Sequence, residues 1–177
     1  MEELQLRNGL TVSVRSASLD DEPAIWEFLC GLSVDSRRLR FFSVGIDLHR
    51  EAHRGAAHDD ADHHGIVALA FGRGVVGHAT FVRAAGSPRA EVAVEVADDL
   101  HQLGLATLLI IRLAQSAEEH QISHFFAEVL PENRDMLAVF RDGFTTVSRN
   151  GPDAVEVEFP TSGWRTAHTR FESARSQ

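Results

Sequence analysis

The chain's alternation of apolar and polar positions is clearest at residues 91–96. There Val92, Val94 and Val96 interleave with Glu91, Ala93 and Glu95, the period of a half-buried strand. An acidic turn, Ala97-Asp98-Asp99, follows. Then come His101-Gln102-Leu103-Gly104-Leu105-Ala106-Thr107 and an apolar helix to about Glu119. Upstream, residues 9–15 alternate as a first strand. Ser18 to Pro23 carries helix-start signals, a capping residue with early acids and an early proline. That helix turns Ile25, Trp26, Phe28 and Leu29 inward, and a second helix is expected from Ser33 to about Phe42. Residues 66–71 and 75–82 read as strands joined around Gly72-Arg73-Gly74. A loop at 84–88 leads to the central strand. Residues 124–130 form a buried strand, followed by a helix from about Glu132 to Asp142. The last strands, 145–149 and 154–159, turn at Asn150-Gly151-Pro152-Asp153. From Thr161 the pattern dissolves, and residues 161–177 read as a tail or linker after a domain of residues 1–160. The order predicts an α/β (α+β) fold, a mixed and mostly antiparallel sheet with helices on both faces.

The unit built on residues 91–119 places a small-residue loop at a helix N-terminus, where unpaired amides and the helix dipole favour an anion. Gly104 and Ala106 would let a pyrophosphate reach the amides of residues 103–107, and Thr107 adds a hydroxyl. Close helix–strand packing explains the same small residues equally simply.

Composition narrows the partners. The chain has 177 residues, 44% hydrophobic and 24% charged, as one globular domain requires. Its net charge is −9, from 26 acidic and 17 basic residues, which argues against nucleic acid as the main partner. It suits a cationic substrate, although acidic proteins often use such charge for solubility. A single cysteine, Cys30, excludes an internal disulfide, suggests a reducing compartment, and reads as a buried thiol among Trp26, Phe28 and Leu29. With no leader segment and no bilayer-length apolar run read in the chain, a cytoplasmic protein without membrane association is expected. Residues 45–64 hold five histidines (His49, His53, His58, His63, His64) and four aspartates (Asp47, Asp59, Asp60, Asp62). These are zinc-type ligands, but their spacing matches no ligand pattern. No metal is expected, and part of the segment is read as a helix or lid over a substrate groove.

The stretch from Glu91 resembles the strand and Gln/Arg-x-x-Gly-x-Gly/Ala loop of the GNAT N-acyltransferases. Ala127 to Leu137 and Phe140-Arg141-Asp142-Gly143-Phe144 resemble that superfamily's next strand and helix. Asp35-Ser36-Arg37-Arg38-Leu39-Arg40-Phe41-Phe42 and Val155 to Pro160 resemble the bacterial protein lysine acetyltransferases. The likeness covers roughly residues 6–160. It implies acyl transfer from acetyl- or propionyl-coenzyme A to protein lysines, with acyl-CoA synthetases as targets. Two other readings stay open: a small-amine acetyltransferase, and an acyl-CoA-binding domain without turnover. The oligomeric state is left open.

The resemblance also assigns residues. Free lysine has a pKa near 10.4, so its neutral amine lies about 4.6 kcal/mol uphill at pH 7. A carboxylate must take that proton. Glu91 matches the general base, and Glu95 on the same strand face is the reserve. The coenzyme would rest on His101, Gln102, Leu103, Gly104, Leu105, Ala106 and Thr107. The amides of Val94 and Val96 would meet pantetheine and the thioester oxygen where two strands splay, with Asn133 beside them. Asn133 reads equally as a helix cap. Two departures stand out: His101 replaces the usual Gln or Arg, and Phe140 lies where many members use tyrosine as an acid. The chain has no tyrosine. A thiol leaves readily without one, and Phe140 is expected to pack against the coenzyme. Arg37, Arg38 and Arg40 would grip an acidic substrate surface or the coenzyme's phosphates, or, for at least two of the three, simply complement a helix end.

Overall fold

The computed structural model describes residues 2–43, 45–56 and 61–175. Its strands are β1 (Glu2–Gln5), β2 (Thr11–Ser16), β3 (His63–Ala70), β4 (Gly74–Arg83), β5 (Arg89–Val96), β6 (His124–Val129), β7 (Val147–Asn150) and β8 (Val155–Pro160). They form one sheet in the order β1-β2-β3-β4-β5-β6-β8-β7. The β5–β6 pair is parallel and the other pairs are antiparallel. The helices are α1 (Glu22–Gly31), α2 (Val34–Phe41), α3 (Leu48–Ala56), α4 (Leu105–Glu119), α5 (Arg134–Gly143) and α6 (Trp164–Arg175). A mixed, mostly antiparallel sheet with helices on both faces is what the patterning predicts.

Two apolar clusters explain the layers. On one face α4 buries Leu105, Leu108, Leu109, Ile110, Ile111 and Leu113, apolar nearly all round because sheet and helices enclose it. Its approach is close: a Cβ on Gly77 of β4 would lie 3.0 Å from a Leu109 methyl. On the other face Ile25, Phe28 and Leu29 of α1 pack with Ala52 and Ala56 of α3 over Val67 and Val75. Asp21 ties β2 to this layer. Its carboxylate accepts from Arg15 at 2.6 and 2.7 Å and from the Ser18 amide at 2.9 Å.

Three expectations change. Cys30 is exposed, because it lies one helical step past Leu29 on the outer side of α1. Residues 161–175 are not a loose tail: a short turn leads into α6, which puts Ala167 in the core. Glu118 of α4 accepts there from Trp164 Nε1 at 2.8 Å and pairs with Arg165 at 2.9 Å. Within residues 45–64 a helix forms as expected, α3, but His63 and His64 open β3 ahead of the strand start read at residue 66. His58, Asp59 and Asp60 lie outside the described residues. Among the described residues no group of three or more His, Cys, Asp or Glu side chains is placed to hold a metal ion. None of the described helices is long and apolar enough to cross a membrane.

Candidate active site

The site begins where two strands part. β5 and β6 pair only over Arg89–Glu91 and His124–Phe126, and both then run on without pairing each other. On the β4 side the ladder continues, and the Ala97 amide donates to Val76 at 2.9 Å. By antiparallel alternation the backbone of residues 91, 93 and 95 turns to β4, while that of Val92, Val94 and Val96 turns to the gap. A groove of about 830 Å³ fills the gap, with Glu91, Val94, Val96, Ala127 and Val129 on its walls. Val94 and Val96 thus stand where free backbone donors were expected, with side chains buried toward α4.

At one end of the groove lies the loop into α4. Gly104, at φ +91, occupies the helix's N-cap, and Gln102 is also left-handed at φ 62. No side chain caps this helix and no acidic residue stands in its first turn. The first bond back to the cap is Leu108 N–H to Gly104 O, at 3.1 Å, which leaves the amides of Leu105, Ala106 and Thr107 without that partner. His101, Gln102, Gly104, Leu105, Ala106 and Thr107 line the groove. Leu103 instead packs its side chain against the core. His101 Nε2 lies 3.1 Å from the Val96 carbonyl oxygen, so its ring braces the end of β5. Gln102 reaches Asp135 at 3.3 Å and links this loop to α5.

Asn133 and Phe140 also line the groove. Asn133 caps α5, its Oδ1 accepting from Met136 N–H at 3.2 Å, and its Nδ2 donor is not needed for that bond. Phe140 is 2% exposed and packs on Phe159 with centroids 5.4 Å apart. It is a core residue first and a groove wall second.

The two glutamates of β5 differ sharply. Glu91 is exposed to the groove, and no hydrogen bond or ion pair engages its carboxylate among the described residues. Glu95 is buried, accepting from Arg40 Nε of α2 at 2.7 Å and from His78 Nδ1 of β4 at 2.6 Å. Burial pushes the Glu95 carboxyl up, but Arg40 and His78 outweigh it and hold it at about 2. Both Glu95 oxygens are thus engaged by charged or ring donors, whereas the Glu91 carboxylate is open to the groove. Arg38 of α2 pairs with Glu132, just ahead of α5, at 2.7 Å. Arg38 and Arg40 therefore do more than complement a helix end.

The sequence reading missed His78, and it expected a helix or lid within residues 45–64 without naming the α3 side chains that reach the groove. His78 stands directly opposite Glu95 in the β4–β5 register, and each is an ionisable group within a largely apolar strand. That shared anomaly was the available signal. For Glu51 and Arg54 of α3, which also line the groove, no such signal existed.

The comparisons with known proteins agree with this geometry. The family described as "Acetyltransferase (GNAT) family" matches residues 26–144. The GNAT domain of Streptomyces lividans PAT is 31% identical, with a TM-score of 0.81 over 90% of this chain and 96% of that one. A cAMP-binding acyltransferase from Mycobacterium smegmatis is 25% identical at a TM-score of 0.63, and the match spans 99% of this chain but only 56% of that protein. Spermidine N-acetyltransferase from Vibrio cholerae, solved with CoA and spermine, shares the fold at 17% identity and a TM-score of 0.66, over 87% of this chain and 98% of that one. None of the curated proteins matches the chain. With the parted strands, the uncapped helix start and these matches together, the chain belongs to the GNAT family of N-acetyltransferases.

Proposed function

We propose that this protein transfers an acetyl group from acetyl-coenzyme A to lysine ε-amines of proteins, with acyl-CoA synthetases as first targets. The observation that carries the reading is the unengaged Glu91 carboxylate at the point where β5 and β6 separate. The likeness to the S. lividans PAT domain supports a protein acceptor.

In this reading the amides of Leu105, Ala106 and Thr107 bind the pyrophosphate, with Gly104 keeping side-chain bulk away. His101 and Gln102 hold that loop in place through Val96 and Asp135. The free amides of Val94 and Val96 orient the pantetheine and donate to the thioester oxygen, where negative charge builds in the transition state. Asn133 Nδ2 adds a donor, and Phe140 supplies an apolar wall. Glu91 takes the proton from the lysine ammonium. The amine nitrogen then bonds to the thioester carbon, the C–S bond breaks, the thiolate leaves with the bonding pair, and the proton that the nitrogen sheds on becoming an amide passes to that thiolate directly or through solvent water. No acid is required at sulfur, which fits a chain without tyrosine.

The test pairs acceptors. Acetyl transfer from acetyl-CoA is followed to a purified acyl-CoA synthetase and, separately, to spermidine and free lysine. Lysine acetylation of the synthetase, with far slower transfer to the free amines, is the expected result. Fast transfer only to the free amines would replace the protein acceptor with a small one. Coenzyme binding without transfer to any of them would leave a non-catalytic domain.

A further inference from the structure

We propose that Glu95, together with His78 and Arg40, is a positioning element that sets the acceptor side of the site. This rests on the acyltransferase reading above and on Glu91 as its base.

One chain of contacts runs through four elements. The Gly55 carbonyl oxygen of α3 lies 3.3 Å from His78 Nε2, His78 Nδ1 donates to Glu95 Oε1, and Arg40 Nε of α2 donates to Glu95 Oε2. Helix α2 is thereby fastened to the middle of the sheet through a buried carboxylate, and α3 packs against the ring that engages the same carboxylate. Glycine makes the α3 contact close enough. A Cβ on Gly55 would lie 2.4 Å from the His78 ring, and a Cβ on Gly65 of β3 would lie 2.3 Å from the Gly55 oxygen. The ring cannot swing aside without losing Glu95.

What these contacts hold open is a chamber of about 200 Å³ on the Glu91 and Glu95 face of β5. Arg40 and Phe41 of α2 and Glu51 and Arg54 of α3 line both this chamber and the main groove, as does Glu91. An amine that gives its proton to Glu91 arrives between those helices, whereas the coenzyme lies against α4 and α5. The chain His78–Glu95–Arg40 therefore sets the width of the acceptor's path, while among the described residues it makes no hydrogen bond to the loop into α4 that takes the coenzyme's pyrophosphate. Glu95 acts through α2 and α3 rather than on the reacting atoms.

The test compares Glu95→Gln, which weakens the Arg40 and His78 contacts, with Gly55→Ala, which presses on the same ring from α3. The readouts are acceptor KM, kcat, acetyl-CoA affinity and the pH profile of kcat/KM. Both variants are expected to raise acceptor KM about tenfold while kcat and acetyl-CoA affinity stay near the parent's. The pH profile of Glu95→Gln should parallel that of the parent. Unchanged acceptor KM in Gly55→Ala would overturn the proposal. So would a collapse of kcat and of the pH profile in Glu95→Gln alone, since that is the behaviour of a base. If Glu95→Gln does not fold, Gly55→Ala decides; if neither folds, the cluster is a stability element and the proposal fails. A parent that transfers to no acceptor would instead defeat the acyltransferase reading on which this one stands.

Discussion

Gly104 is where one residue's geometry and the site's chemistry meet. At φ +91 a β-branched side chain is strained by roughly 1–2 kcal/mol and also fills the anion cradle. Gly104→Val is expected to raise the KM for acetyl-CoA strongly while the acceptor's KM stays put, as steady-state kinetics with each substrate varied would check. An unchanged acetyl-CoA KM would move the pyrophosphate elsewhere. Asp21 makes a stability statement at the same scale. Its bonds to Arg15, which outweigh the cost of burial, hold its carboxyl at about 2. Because the folded value lies below the unfolded one, the stabilisation is complete above about pH 4 and fades as pH falls toward about 2. Glu95 adds in the same direction. Denaturant midpoints measured across that range should fall for the parent and fall less steeply for Asp21→Asn. At neutral pH, Asp21→Ala should cost about 2 kcal/mol through the lost cap and charged bonds.

The elements were legible in the sequence wherever one period ran unbroken. The alternation of β5 and the apolar run of α4 located the groove's centre, and the helix-start signals located α1. The failures have physical causes. Helix α3 was expected only as part of residues 45–64, because its stripe consists of Leu48 and the small residues Ala52, Gly55 and Ala56, too slight to fix its bounds. Helix α6 likewise lacks a strong stripe, and its docking rests on Trp164, Ala167 and an ion pair to Glu118, contacts that only tertiary structure creates. Glu95 looked like Glu91 because both share a strand face. Which of the two is locked and which is open depends on residues 17 and 55 positions away, His78 and Arg40. For α6 the expected consequence is direct. Ala167→Glu places an unpaired charge in the core, and roughly 3 kcal/mol of lost stability should lower the melting temperature by about 6–12 °C. A melting curve like the parent's would mean that α6 is dispensable.

For the whole molecule, the short register of the sheet's parallel pair is what opens the groove. The short β5–β6 register leaves a gap with backbone donors on one wall and Glu91 where the strands part. In the proposed reading coenzyme-side residues come from α4 and α5 and acceptor-side residues from α2 and α3, all on the walls of one groove. The most direct measurement of that division is transfer from acetyl-CoA to a lysine acceptor by the parent and by Glu91→Gln, with acetyl-CoA affinity measured alongside. If Glu91 is the base, the variant binds acetyl-CoA as tightly as the parent and loses about 10²–10⁴-fold in kcat. Equal transfer rates in the two proteins would contradict it and remove Glu91 from the chemistry.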